Sequence, residues 1–323
     1  MREPTFQVIY EGKDISRDLK PFLAEVVYTD KLHGEADTLD LLLDNQSLLW
    51  LGDWRPQRTD TIACQLGYAN QALLDCGTFQ VDRMDWDGPP DRIKVGALST
   101  GISKALRQPN TVAYEKTTLA EIAQQVASRN GLTVAGTVPE VRLERVSQNQ
   151  QTDLGFVLKL ADEYGAIVKV ERDKLVFYDR LGLRSLPPSL TLGRGDLKQY
   201  SFSDASQDSA KAAQVSYTDP KTKQTITHTE TDPSNPKGDT LKVKTRVENP
   251  EQARLKARAA LDKANRPSLS GRLNLEGNTA FMAGLTVRLQ GFYSLDGTWQ
   301  IEQATHRISR SSGYTTEINL ERV

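Results

Sequence analysis

The segments Gly77-Thr78-Phe79-Gln80-Val81-Asp82 and Gly297-Thr298-Trp299-Gln300-Ile301-Glu302 share one pattern: glycine, threonine, aromatic, glutamine, β-branched, acid. Each enters a strand from a turn. Alternation then sets the ring and the branched side chain on one face, and the glutamine and acid on the other. The flanks match in the same order. Cys64-Gln65-Leu66-Gly67-Tyr68 precedes the first segment and a strand at 92–98 follows it. Arg288-Leu289-Gln290-Gly291-Phe292 precedes the second and a strand at 315–320 follows it. Order and motif together read as an internal duplication of one β unit.

Working outward, residues 1–100 form a first β domain. Phe6, Val8 and Tyr10 alternate with polar neighbours, as do Leu39, Leu41 and Leu43. Further strands are expected at 22–29, 61–68, 73–82 and 92–98, separated by turns such as Asp87-Gly88-Pro89-Pro90. Six short strands at this spacing suit a small barrel or sandwich.

Residues 101–185 read differently, as a small α/β insert. Thr118-Leu119-Ala120-Glu121 is a capping box, opening a helix whose apolar face is Leu119, Ile122, Ala123, Val126 and Ala127, and Gly131 stops it. A second helix starts near Thr152 and is expected to bury Leu154, Val157, Leu158, Ala161 and Tyr164. Strands at 166–170 and 174–178 follow, and Pro187-Pro188 marks a boundary. Residues 186–323 then read as a second β domain, with strands at 213–218, 224–231, 241–247, 269–275, 285–292, 299–306 and 315–321. One helix interrupts at about 249–266, with Asn249 as N-cap, Pro250 at N1 and Arg266-Pro267 at its end. The fold class is therefore mainly β: two related barrels with an α/β domain between them. Three such chains about an axis would present six similar units, a pseudo-sixfold ring built by a threefold oligomer.

The bulk numbers narrow the function. Lys plus Arg is 41 against 42 for Asp plus Glu, a net charge of −1. Such a surface exerts no general pull on nucleic acid or an anionic membrane. The opening residues MREPTFQVIYEGKDIS lack the apolar core of a secretory signal, and no stretch reaches the roughly 20 apolar residues of a membrane span. A soluble protein made in the bacterial cytoplasm, without membrane insertion, is the expectation. Cys64 and Cys76, on neighbouring strands, read as buried free thiols.

No catalytic, cofactor-binding or metal-binding residue is assigned, and the chain reads as a non-enzyme. The three histidines, His33, His228 and His306, fall in no metal motif, and His306 sits at a polar alternate of its strand, where a surface or interface role is expected. Asp82, Asp85 and Asp87 before Gly88 do not follow a calcium-loop spacing. Gly193-Arg194-Gly195-Asp196 reads as a turn, since no Walker lysine or helix context follows. Lys242, Lys244 and Arg246 alternate on a strand, and Arg254, Lys256, Arg258, Lys263 and Arg266 make the next helix basic. These residues face either solvent or the acids of a neighbouring subunit. Two other classes remain in view. A cell-wall hydrolase would need an acid in a cleft of the 101–185 insert, and a carbohydrate-binding module would use Trp50, Trp54 and Trp86.

Several runs, taken in order, resemble a known family. They are Lys13-Asp14-Ile15-Ser16, Tyr28-Thr29-Asp30, Gly34-Glu35-Ala36-Asp37-Thr38-Leu39, Pro89-Pro90-Asp91 with Val95-Gly96-Ala97, the helices at 119–131 and 153–165, and Gly313-Tyr314-Thr315-Thr316 after Gly297-Thr298-Trp299. The chain resembles phage late-control gene D proteins, the hubs of contractile tails, with kinship to the base of type VI secretion spikes and to R-type pyocin hubs. The resemblance implies two tail-tube-like barrels, a homotrimer and a place in the tail baseplate. It also implies as partners a central spike protein, the tail tube or a tube initiator, other baseplate proteins and a tape measure protein, with nucleic acid only as passing cargo. Because the chain ends at Val323 with no β-helical extension, the spike is expected to be a separate protein.

Overall fold

The computed structural model describes residues 2–34, 36–100, 106, 108–205, 209–218, 222–233, 235–266 and 269–323. Glu35 and Pro267, used in the sequence reading, lie outside them, as does the start of the insert at residue 101.

The first third contains β1 (Pro4–Tyr10), β2 (Lys13–Asp14), α1 (Ser16–Leu19), β3 (Leu23–Lys31), β4 (Thr38–Asp44), β5 (Thr61–Tyr68), β6 (Leu74–Asp87) and β7 (Arg92–Ser99). The insert contains β8 (Pro109–Thr118), α2 (Leu119–Arg129), β9 (Thr133–Gly136), β10 (Arg142–Thr152), α3 (Asp153–Glu163), β11 (Ala166–Glu171), β12 (Lys174–Asp179) and α4 (Arg180–Arg184). The last part contains β13 (Leu190–Gly193), β14 (Leu197–Asp204), β15 (Ala210–Thr218), β16 (Thr225–Thr231), β17 (Asp239–Val243), α5 (Pro250–Asn265), β18 (Leu269–Glu276), β19 (Thr286–Gln290), β20 (Gly297–Ser309) and β21 (Gly313–Arg322).

Thirteen strands from both ends of the chain join in one curled sheet. Its main path is β14-β18-β21-β20-β3-β4-β7-β6-β5-β1-β2, with β19 beside β20 and β13 beside β19. The sequence reading expects two separate barrels. Among the described residues each half is instead an open curl, and the two are joined because β3 pairs antiparallel with β20. Each curl has its own core, around Phe79, Leu39 and Ile93 in the first and around Trp299, Phe281 and Leu273 in the second.

Strand order is the same in the two halves: β1-β5-β6-β7-β4-β3 in one, β13-β19-β20-β21-β18-β14 in the other. Register agrees as well. Ile62 lies opposite Phe79 as Val287 lies opposite Trp299. The partners Val81, Ala97, Leu39 and Tyr28 run across the first half as Ile301, Leu320, Gly271 and Phe202 run across the second. Bulges fall between Val81 and Arg83 and between Ile301 and Gln303, and again between Leu23 and Glu25 and between Leu197 and Gln199. The shared glycine has a backbone reason: Gly77 has φ 91° and Gly297 φ 138°, a region that side chains disfavour. The halves also differ in places. β1 is antiparallel to β5 whereas β13 is parallel to β19, and Cys64 corresponds to Leu289, one residue along from Arg288.

Three local expectations need correction. Strands β15–β17 do not join the long sheet. They form their own three-stranded sheet, covered by α5, because Val215 and Ala213 pack against the Ala253, Ala257 and Leu261 stripe. The pair β8 and β10 lies outside the elements expected from the sequence. On α3, Val157 and Ala161 are buried as expected, and Tyr164 after it, but the centre of the buried face is Asp153, Phe156 and Leu160, with Leu154 and Leu158 only half-buried at its margin. The reason is the carboxylate of Asp153, which is drawn inward by Arg129 (3.0 Å), Asn130 (2.8 Å), Asn110 (3.0 Å) and Gln148 (2.8 Å). The two other helix starts match the reading. Thr118 and Glu121 form the capping box, and the Asn249 side chain accepts from Gln252 N at 2.8 Å.

Candidate functional site

First curl, second curl and insert meet at a buried, charged junction. On β3 the buried beat of the alternation is Val26, Tyr28 and then Asp30, so a carboxylate takes an apolar position. Asp30 is 1% exposed. One oxygen bonds Lys169, on β11 of the insert, and the other accepts from Ala283 N of the second curl at 2.8 Å. Lys169 also reaches Asp37 at 3.1 Å. Burial pushes Asp37 up to about 6, with Lys169 restraining the rise. Burial alone would lower the Lys169 ammonium, but the two carboxylates outweigh it and hold it at about 12, so it stays charged.

Beside this triad, His33 accepts from Val168 N at Nδ1 (3.0 Å), which leaves Nε2–H to donate to Asp162 at 3.2 Å. Asp162 also pairs with Lys263 of α5 at 2.9 Å. The His33 bond and the Lys263 charge hold the Asp162 carboxyl well below the usual range, against burial. A second cluster lies across the same boundary. Arg184 meets Asp262 (2.8 Å) and Glu321 (3.4 Å), and Arg266 approaches Glu321 at 3.9 Å. Burial and the nearby Glu302 push Glu321 up to about 7. Links of this kind, between elements far apart in the chain, fix how the three parts sit together.

His306 is not at the surface. It is fully buried at the β3–β20 seam, donating from Nε2 to the Phe281 carbonyl and accepting at Nδ1 from Tyr314, both at 2.9 Å. Burial lowers its pKa, so the ring is neutral. The bulge after Ile301 explains the correction. It shifts the parity of β20, so that Ala304, His306 and Ile308 face the core where simple alternation would place Gln303, Thr305 and Arg307.

The basic helix is also corrected in part. Lys256 is buried against Glu163 (2.8 Å), Lys263 meets Asp162, Arg266 approaches Asp262 (3.6 Å) and Arg254 meets Glu251 (2.6 Å), all within the chain. Lys242, Lys244 and Arg258 are exposed. Trp50, Trp54 and Trp86 do come together. Trp50 and Trp54 meet edge-on at 5.5 Å beside Phe22, and Trp86 Nε1 donates to the Trp50 carbonyl at 3.4 Å. Trp50 and Trp54 line an apolar cavity of about 280 Å³ with Leu41, Leu43 and Ile62; Trp50 is buried in the first core, whereas Trp54 is exposed and Trp86 half-buried. Asp85 pairs with Arg83 at 2.7 Å, and among the described residues no group of three or more acids, histidines or cysteines is placed to hold a metal. Asp196 closes its turn by accepting from Gly193 N at 2.8 Å. Cys64 and Cys76 are buried free thiols. No helix among the described residues is long and apolar enough to cross a membrane. Sequence reasoning missed Asp30, Asp37, Lys169, Asp162 and Arg184. The readable signal was a carboxylate on the buried beat of β3.

Comparison with known proteins places this architecture. A family model described as phage tail baseplate hub (GPD) matches residues 103–312, more than half of the chain. The chain belongs to that family. A curated relative, the probable baseplate hub protein of Escherichia phage 186, is 27% identical over 365 aligned positions, covering 98% of this chain and 92% of the relative. Among solved structures, a tail protein from Neisseria meningitidis MC58 superposes with a TM-score of 0.74 at 14% identity, covering 99% of this chain and 96% of that one. A component of the Escherichia coli type VI secretion system, itself similar to tail proteins of bacteriophage T4, superposes with a TM-score of 0.56 at 13% identity over 93% of this chain and 73% of that one. At such identities the structural likenesses show a shared fold. As a baseplate hub, the protein is a component of a phage tail, and the buried ion pairs above hold its parts together.

Proposed function

We propose that this hub acts by geometry rather than by catalysis: three copies close into a pseudo-sixfold ring that joins a sixfold tail tube to a threefold central spike. In this reading the chain divides into a first tube-like unit at 1–100, an insert at 101–185 and a second tube-like unit at 186–323. The observation that carries it is the common strand order and register of the two halves, down to paired bulges. One chain with two like units gives six from three copies, and a head-to-tail contact that closes makes a ring. The tube or its initiator would rest on one side and a separate spike on the other, with other baseplate proteins and a tape measure protein as neighbours and nucleic acid passing through the lumen. Assembly in the bacterial cytoplasm fits this role. The likeness to a type VI secretion component supports a place in such injection assemblies.

Light scattering on the purified chain tests the reading, together with electron-microscopic class averages. A mass three times that of one chain and six-lobed rings are expected. A monomer, or a dimer with two-fold symmetry, would overturn it.

A further inference from the structure

Among the open edges of the long sheet in the described residues, two stand out because the other half of the fold shows what pairs at the corresponding places. Among the described residues, strand β14 pairs only with β18, and the end of β6, residues 83–87, pairs only with β7. On its other side β6 is paired with β5 as far as Gln80, and Val81 exchanges backbone hydrogen bonds with Thr59 and Asp60. Beyond that point no strand lies there among the described residues. A row of open amide and carbonyl groups is a template for another strand.

The shared register says which strand fits. Phe202 holds in the second half the place that Tyr28 holds in the first, because both end the matching rows of partners across the sheet. His306 and Trp86 likewise hold one place, five residues beyond Ile301 and Val81 and past the same bulge. In the first pair of places the chain makes the joint itself. Strand β3 runs antiparallel to β20 with Tyr28 opposite His306, their rings stacked at 6.1 Å. In the second pair of places, β14 and the end of β6, each strand lacks its partner.

We infer that a second copy of this chain supplies it: β14 of one subunit adds antiparallel to residues 83–87 of the next. Phe202 then faces Trp86, Ser203 faces Asp85 and Ser201 faces Asp87. Phe202 and Trp86 are half-buried in the single chain and become the aromatic pair of the inter-subunit joint, as Tyr28 and His306 are of the internal one. The inference rests on the trimer reading and deepens it, since three such joints alternate with three β3–β20 joints around one ring. The contact is head-to-tail, so the two patches are different surfaces and the sheet runs unbroken from subunit to subunit.

Disulfide trapping on the full chain tests it. Ser203→Cys combined with Asp85→Cys, under mild oxidation, is expected to give covalent species up to a trimer. Ser201→Cys with Asp87→Cys is a second in-register pair, in case the first disturbs folding. The native thiols are buried, so the unmodified chain sets the background. Ser203→Cys with Asp87→Cys lies two residues out of register, beyond the ~7 Å Cα reach of a disulfide, and should cross-link at least about ten-fold less. Each single variant alone should not self-link, whereas a mixture of two singles should give mixed dimers. A trimer by light scattering without preference for the in-register pairs overturns this pairing and leaves the trimer reading standing. A chain that stays monomeric overturns both, and self-linking by one single variant overturns the head-to-tail contact.

Discussion

Lys169 of the insert closes on Asp30 of the first curl with side-chain exposures of only 10% and 2%. The contact lies 139 residues apart in the chain and is shared with Asp37 and, through the second oxygen of Asp30, with the backbone of Ala283. One ammonium therefore neutralises two buried carboxylates while all three parts of the fold touch the same group.

Lys169→Met should be strongly destabilising, because it leaves two acids buried without a counter-charge. Breaking a buried pair from one side typically costs about 3–5 kcal/mol. Replacing all three groups, Lys169→Met with Asp30→Asn and Asp37→Asn, removes the uncompensated charge and should recover much of that loss. Urea midpoints of the three proteins decide it. A single variant within about 1 kcal/mol of the unmodified chain would show that the triad adds little.

Stability should carry two opposed pH slopes. The His306 ring is held neutral by burial, so its contribution is present above about pH 6.5 and is lost as pH falls and the unfolded ring takes a proton. Glu321 is pushed up to about 7 by burial, from an ordinary value near 4.5. The folded state therefore keeps that proton where the unfolded state has lost it, and stability declines as pH rises from about 4.5 to about 7. At about 1.4 kcal/mol per unit, the decline is at most about 3.5 kcal/mol. Relative to the unmodified chain, Glu321→Gln should gain as pH rises and His306→Gln should gain as pH falls. Urea unfolding at four pH values across this window gives the slopes, and parallel curves for all three proteins would contradict both assignments.

The sequence is most legible where structure is set locally. Gly77 and Gly297 mark turns that need a left-handed backbone, and the motif after each shows its face by alternation. The capping box at Thr118 and the Asn249-Pro250 start are equally local. Legibility fails where one residue resets the count. After the Ile301 bulge, inward and outward exchange, and His306 passes from apparent surface to core. It also fails where a distant charge decides a face, as when Arg129 and its neighbours draw Asp153 inward and rotate α3. The junction residues share that property: Asp30, Lys169 and Asp162 each owe their position to a partner more than a hundred residues away, and no window of sequence contains both members.

The α2 cap offers a local test of the insert. Thr118 Oγ1 accepts from Glu121 N at 3.1 Å, and the Glu121 carboxylate accepts from Thr118 N at 2.8 Å. Thr118→Ala removes one of these bonds and should lower stability by about 1 kcal/mol. Glu121→Gln keeps an acceptor and should lose less. Chemical denaturation followed by circular dichroism ranks the two, and a larger loss in Glu121→Gln would assign the main effect to charge at the helix start instead.

Phe79 and Trp299 hold matching places in the two curls, and each is fully buried. Each faces its own core, Phe79 packing beside Tyr28 and Trp299 beside Phe202. Truncating either ring to alanine should cost about 3–5 kcal/mol, from lost burial and the cavity left behind. Trp299→Ala should sit at the upper end, since its Nε1 also loses a hydrogen bond to the Leu295 carbonyl at 3.0 Å. Because the two rings belong to separate cores, the losses in the double variant should add to within about 0.5 kcal/mol. Guanidinium unfolding of the two singles and the double closes the cycle. A coupling well above that limit would mean that the β3–β20 seam transmits strain from one curl to the other, and the two halves would then unfold as a single core.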